Sequence, residues 1–256
     1  MDQLYADRLS TRTTLEQVAR QQYHRYLPEA LKSKPNVFIY AAPVGTPANL
    51  VTLQELREGQ AYQRRQAGAP RWGSGHRLSN PFHWKGSPEA AQLDYPGNTR
   101  EETEFRAVAY KHGAIAAWSV LMADGWSQPG GKDDFILPDA FMAALHGTVA
   151  PWLSFLGNLG VTTTVEGLVV LNNVAGLHPR LGVAFDPFDD LRSHQFENDP
   201  TPFTFSAVTT ASADQIIDLC FRIFADMMYA AGHTTDFGKR DNPQFYSSQM
   251  EKGLLR

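Results

Sequence analysis

The stretch that decides the fold is Phe105-Arg106-Ala107-Val108-Ala109-Tyr110-Lys111-His112-Gly113-Ala114-Ile115-Ala116-Ala117-Trp118-Ser119-Val120. Two apolar arms flank Lys111-His112-Gly113, and glycine enters left-handed backbone without steric cost, so the pattern is that of a β-hairpin. The many alanines let a helix compete. Gly113 and the β-branched and aromatic side chains favour strands.

Other strands are expected on both sides of this hairpin. Upstream, Val37-Phe38-Ile39-Tyr40-Ala41-Ala42 is bounded by Pro35 and Pro43 and reads as a buried strand. Residues 67–98 are rich in glycine and proline, which favours two or three short strands over helix. Downstream, Thr162 to Leu171, Leu181 to Phe185 and Phe203 to Val208 read as further strands. Mostly local connections between strands favour antiparallel pairing.

Helices fill the intervals. Thr13 and Glu16 have capping-box spacing, followed by Leu15, Val18, Ala19, Tyr23, Tyr26 and Leu27 at helical period, with Pro28 as a stop. A second helix is expected from about Pro47 to Arg65. A third opens at Pro138 and presents Phe141, Met142, Leu145, Val149, Trp152, Leu153 and Leu156, with a kink expected at Pro151 and a stop at Gly160. The last opens at Ser212, with Gln215 completing a capping box. It is so apolar that it must be mostly buried, and Gly232 ends it.

A helix followed by strands thus occurs twice, near 47–122 and 138–208, a coarse pseudo-repeat. The expected class is α+β, with largely antiparallel sheet packed by three or four helices. A single domain is expected over 1–232, followed by a polar, loosely held tail over 233–256.

Composition narrows the function. With 256 residues, 43% of them apolar and 20% charged, the chain needs no covalent staple to bury a core. Its net charge of −4 gives no global attraction to polyanions. The single cysteine, Cys220, excludes an internal disulfide and a multi-cysteine zinc site, and its apolar helical setting suits an inert buried thiol. The first residues lack the apolar core of a signal peptide, and no run reaches the ~18 apolar residues of a membrane span. A cytoplasmic protein without a membrane partner is the expectation. The sequence contains no nucleophile elbow, no H-E-x-x-H, no phosphate-binding P-loop and no dinucleotide-binding glycine motif opening a helix.

Two segments carry chemistry. The first is basic: Arg57, Arg64, Arg65, Arg71, His76, Arg77 and Lys85, interleaved with Tyr62, Trp72, Phe82 and Trp84. Arginines grip phosphates and aromatics stack on unpaired bases, so Arg57, Arg64, Arg65, Arg71, Trp72, Arg77 and Trp84 are candidate nucleic-acid contacts. The competing account is a solvated helix end running into a loop, with the tryptophans in the core.

The second segment is acidic and spans 186–199. Asp186, Asp189, Asp190, His194 and Glu197 are candidate ligands for a divalent metal, with Asp199 beside them. His194 and Glu197, three apart, could act as a base and the group that orients it. No known metal-loop order is present, so the competing account is that these carboxylates solvate a long connection and cap its turns.

The strand ending Ala41-Ala42-Pro43-Val44-Gly45, the Arg-rich segment, the hairpin at Lys111-His112-Gly113, the Leu137-Pro138-Asp139 helix start and the final apolar helix form a recognisable order. In this layout, over about 35–232, the chain resembles the C-terminal region that follows AlbA-type (Schlafen-like) DNA-binding domains in bacterial proteins. That resemblance implies an accessory, sensing or assembly role in a bacterial cytoplasm and carries over no catalytic residue. The first expectation is therefore a non-enzymatic binding or regulatory module with no cofactor, contacting nucleic acid through 57–85. A metal-dependent or hydrolytic enzyme using 186–199 with His194 is the alternative. A third reading is a homo-oligomerisation domain, or one that takes a protein partner, through the last helix or the 138–160 helix.

Overall fold

A computed structural model describes residues 15–56, 83–87, 89–96, 103–121, 135–136, 138–179 and 194–233. Among these, a seven-stranded sheet is the frame of the molecule. Its strands are β1 (Asn36–Pro43), β2 (His83–Gly86), β3 (Ala90–Pro96), β4 (Thr103–Tyr110), β5 (Ile115–Val120), β7 (Thr164–Asn172) and β9 (Thr201–Val208), in the order β2-β3-β4-β5-β1-β7-β9. Every neighbouring pair in it is antiparallel. The hairpin read from sequence is β4–β5, and the strands of both halves of the pseudo-repeat merge into this one sheet.

Helices cover the sheet on two faces. On one face lies the helix α1 (15–26), whose Leu15, Val18, Tyr23 and Tyr26 pack with Phe38, Tyr40, Val108, Tyr110, Ala116 and Trp118. The opposite face carries Val37, Ile39, Ala41, Ala107, Ala109, Ile115, Ala117, Val165 and Val169. It packs with α3 (Pro138–Asn158) and α4 (Ala213–Ala230). Side chains alternate between faces along a strand, so a strand covered on both sides must be apolar at every position. That is why β1 and β5 read as largely apolar runs, interrupted by Asn36 and Ser119. β9 instead alternates buried and exposed residues over 201–206, because among the described residues α4 covers one of its sides and nothing covers the other.

Local chemistry accounts for the boundaries. The second helix, α2, is described over 53–56 and starts later than expected. Thr52 and Glu55 form its capping box: Thr52 N–H donates to Glu55 Oε2 (2.8 Å), and Glu55 N–H donates to Thr52 Oγ1 (3.1 Å). Residues 47–51 are held as turns instead, since Val51 N–H donates to Lys111 O at 2.8 Å. The last helix has the expected Ser212–Gln215 capping box. α3 runs on through Pro151. Its window Ala140–Asn158 has the length and apolarity of a membrane span, yet 71% of that window is buried inside the molecule.

Two short strands, β6 (Phe135–Ile136) and β8 (His178–Pro179), pair in parallel as a separate bridge. At two residues each they are too brief to leave a periodic signal. The strand expected over Leu181 to Phe185 and the tail from 234 onward lie outside the described residues.

Gly167 in β7 shows why one strand position must lack a side chain. It pairs with Phe205 of β9, and a Cβ built on it would come within 2.0 Å of the Phe205 ring. The ring occupies the space above the glycine. Gly167→Ala is expected to destabilise the fold by about 1–3 kcal/mol through overpacking, read as a lower urea midpoint. An unchanged midpoint would mean that Phe205 can swing aside freely.

Candidate functional site

The structure brings one nominated residue into a cluster, and its partner is unexpected. α4 ends in a left-handed turn at Gly232 (φ +91°), with Gly232 N–H donating to Tyr229 O (2.9 Å) and His233 N–H to Met228 O (3.0 Å). This turn folds His233 back into the interior, where it is 4% exposed. His194 meets it edge-on, with ring centroids 4.6 Å apart and an interplanar angle of 83°.

His194 is positioned by its neighbour Phe196, which is buried. Phe196 N–H donates to Leu177 O (3.0 Å) and its carbonyl accepts from Gly176 N–H (2.9 Å), so residues 194–196 lie along the turn that follows β7. The same turn leads into β8, whose His178 is also buried. Burial, and after it the nearby His194, push the His233 pKa down to about 4, because a charged imidazole would lose hydration there.

The other acidic-segment candidates fall elsewhere. Glu197 is exposed. Asp199 accepts the N–H of Asn173 at 2.8 Å, and Asn173 has φ 59° and sends its amide nitrogen to the carbonyls of Lys32 and Lys34, both at 3.0 Å. This carboxylate therefore caps a turn. Asp186, Asp189 and Asp190 lie outside the described residues. Among the described residues, no group of three or more His, Cys, Asp or Glu side chains is arranged to hold a metal. Cys220 is buried, and burial pushes its thiol up to about 12, which keeps it protonated.

Of the basic-segment candidates, Trp84 lies in β2 opposite Leu93. Arg57, Arg64, Arg65, Arg71, Trp72 and Arg77 lie outside the described residues. The described residues on either side of them are Leu56 in α2, which is fully buried, and His83 in β2, an outer strand of the sheet among the described residues.

His233 was not legible as a site residue. The stop signal at Gly232 was visible, but that the turn buries the next side chain against residue 194 depends on contacts between distant parts of the chain.

Comparison with family models, with curated proteins and with solved structures finds no match to this chain.

The His194–His233 contact has a direct consequence for pH. Above about 6.5, the ordinary histidine value, His233 is neutral in both folded and unfolded chains. As the pH falls from there toward 4, the unfolded chain takes up a proton that the folded one refuses, so stability declines across this window. A ring-NMR titration should give His233 a midpoint near 4, and its replacement by Gln should remove part of the loss of thermal stability on acidification. A midpoint near the ordinary value would show that the ring is solvated.

Proposed function

We propose that this chain is a non-enzymatic binding or regulatory module that contacts nucleic acid through residues 57–85. The observation that carries the reading is charge segregation. Six of the chain's cations, Arg57, Arg64, Arg65, Arg71, Arg77 and Lys85, fall in this segment against a single acid, Glu58, although the whole chain is at −4. A locally positive segment in an acidic protein draws a polyanion to one place, and Trp72 and Trp84 offer faces on which unpaired bases can stack. The layout's resemblance to the region beside AlbA-type DNA-binding domains suits an accessory, sensing or assembly module in a bacterial cytoplasm and carries over no DNA-binding residue.

A second reading, a divalent metal held for hydrolytic chemistry by Asp186, Asp189, Asp190, His194 and Glu197, is favoured by one observation. His194 lies against a second imidazole, and neutral imidazole is a common ligand for zinc and its neighbours in the periodic table.

Fluorescence anisotropy with labelled single-stranded and duplex oligonucleotides tests the first reading. Saturable binding that weakens with salt is expected, and Arg64→Ala with Arg65→Ala and Arg71→Ala should lower the slope of log affinity against log salt by about 2–3. Flat curves, or a triple variant that binds as wild type, would sink it. Calorimetric titration with Zn²⁺ tests the second: uptake should be abolished by His194→Ala and by Asp189→Asn with Asp190→Asn, and wild-type protein that takes up no ion would discard it.

A further inference from the structure

We infer that the outer edge of β9 pairs antiparallel with β9 of a second copy of this chain, joining two sheets into one. Thr209 N–H donates to Thr163 O at 3.2 Å, and the register of β7 on β9 places Thr164 opposite Val208. Antiparallel strands direct the backbone groups of alternate residues to opposite sides. Residues 201, 203, 205 and 207 therefore bond to β7, while the backbone groups of Pro202, Thr204, Ser206 and Val208 point away from it. Among the described residues, no strand lies beyond this edge.

Sheet edges of this length are normally blunted by a charge or a bulge. β9, Thr-Pro-Phe-Thr-Phe-Ser-Ala-Val, carries no charge, and its register on β7 runs without a break from Thr201 to Val208. Its only edge-breaking residue is Pro202, which lacks an N–H. One two-fold register turns that defect into a fit. With the axis at Phe205, Thr204 and Ser206 exchange both N–H and C=O bonds with the second copy's Ser206 and Thr204. Pro202 then faces the second copy's Val208, whose carbonyl is already occupied by Ala211 N–H at 3.0 Å. Val208 needs no donor from that partner, and Pro202 has none to give, while its carbonyl can still accept the Val208 N–H.

The side chains agree with this register. Pro202, Thr204, Ser206 and Val208 are exposed on the uncovered face of β9. Val208, 46% exposed, would pack on the second copy's Pro202, with Thr204 beside Ser206 between them. The opposite choice, self-association through α4, is disfavoured because that helix spends Ile216, Ile217, Cys220, Ile223, Phe224, Met227 and Met228 on its own core. Its exposed positions include Asp214, Asp218, Arg222 and Asp226. A single strand edge is a small interface, so the dimer should be weak and concentration-dependent.

The test is sedimentation equilibrium of the full chain from micromolar to submillimolar concentration, with a mixed-isotope sample for NMR. Wild type should pass from one copy to two, and the two-fold at Phe205 should give an inter-copy contact between the Phe205 Hα protons. Thr204→Lys with Ser206→Lys places like charges opposite each other on an exposed face, and should raise the dimer dissociation constant about tenfold or more with an unchanged circular dichroism spectrum. Ser206→Pro, which removes an outward N–H and spares the ladder to β7, should act in the same direction. A wild type that stays monomeric throughout, one that instead captures only an extended segment of another protein, or a dimer indifferent to the lysine pair would overturn the inference.

Discussion

The rest of the structure depends on the way the β4–β5 turn is held. Gly113 adopts φ +86°, and a Cβ there would fall 2.7 Å from Leu50 and 2.9 Å from Pro43. Glycine is required twice at this point, for backbone conformation and for room. Around it, Trp152 of α3 donates its indole N–H to Gly113 O at 3.0 Å, Val51 N–H reaches Lys111 O, and Lys111 N–H reaches Glu89 O. One tight turn therefore joins the hairpin to β3, to the segment before α2 and to the helix on the far face. The indole bond is buried, where an unmade polar contact is costly, so it sets where α3 lies on the sheet.

From that joint follows the contrast between the middle of the sheet and its rims. β1 is paired on both edges and covered on both faces, and its Asn36 is the one polar side chain within it, satisfied by the carbonyls of Leu31 and Lys34. Arg106 and Tyr110 tie α1 down through Tyr26 O (2.8 Å) and Gln22 Oε1 (2.7 Å), which closes the second face. Little polar chemistry can reach the middle of such a sheet. Among the described residues, β2 and β9 are the outer strands of this sheet, and His194 lies in the connection that leads into β9.

The sequence was informative where the signal was local. The hairpin, both apolar central runs and the Ser212 capping box could be read directly, since each depends on residues within a few positions of one another. The Thr52–Glu55 capping box is equally local, yet where α2 begins also depends on the distant carbonyl of Lys111, which holds Val51 in a turn. Site residues fared unevenly. His194 was singled out for its neighbour Glu197, but what it touches is His233, and Asp199 proved to be a turn cap. Spacing in sequence places groups near each other only within one helix or strand, and 194–200 is neither.

By itself, then, the amino-acid sequence determined the class of fold, the two-sided burial of its central strands and the segregation of positive charge into 57–85. Each of these follows from side-chain periodicity, turn chemistry or simple counting. Only the tertiary structure decided that β1 inserts between β5 and β7, that Phe205 lies over Gly167, that His233 turns back onto His194, and that β9 is outermost beside β7 among the described strands. Those outcomes come from packing and hydrogen bonding between segments far apart in the chain, where many pairings satisfy the same local pattern and one buries the whole core.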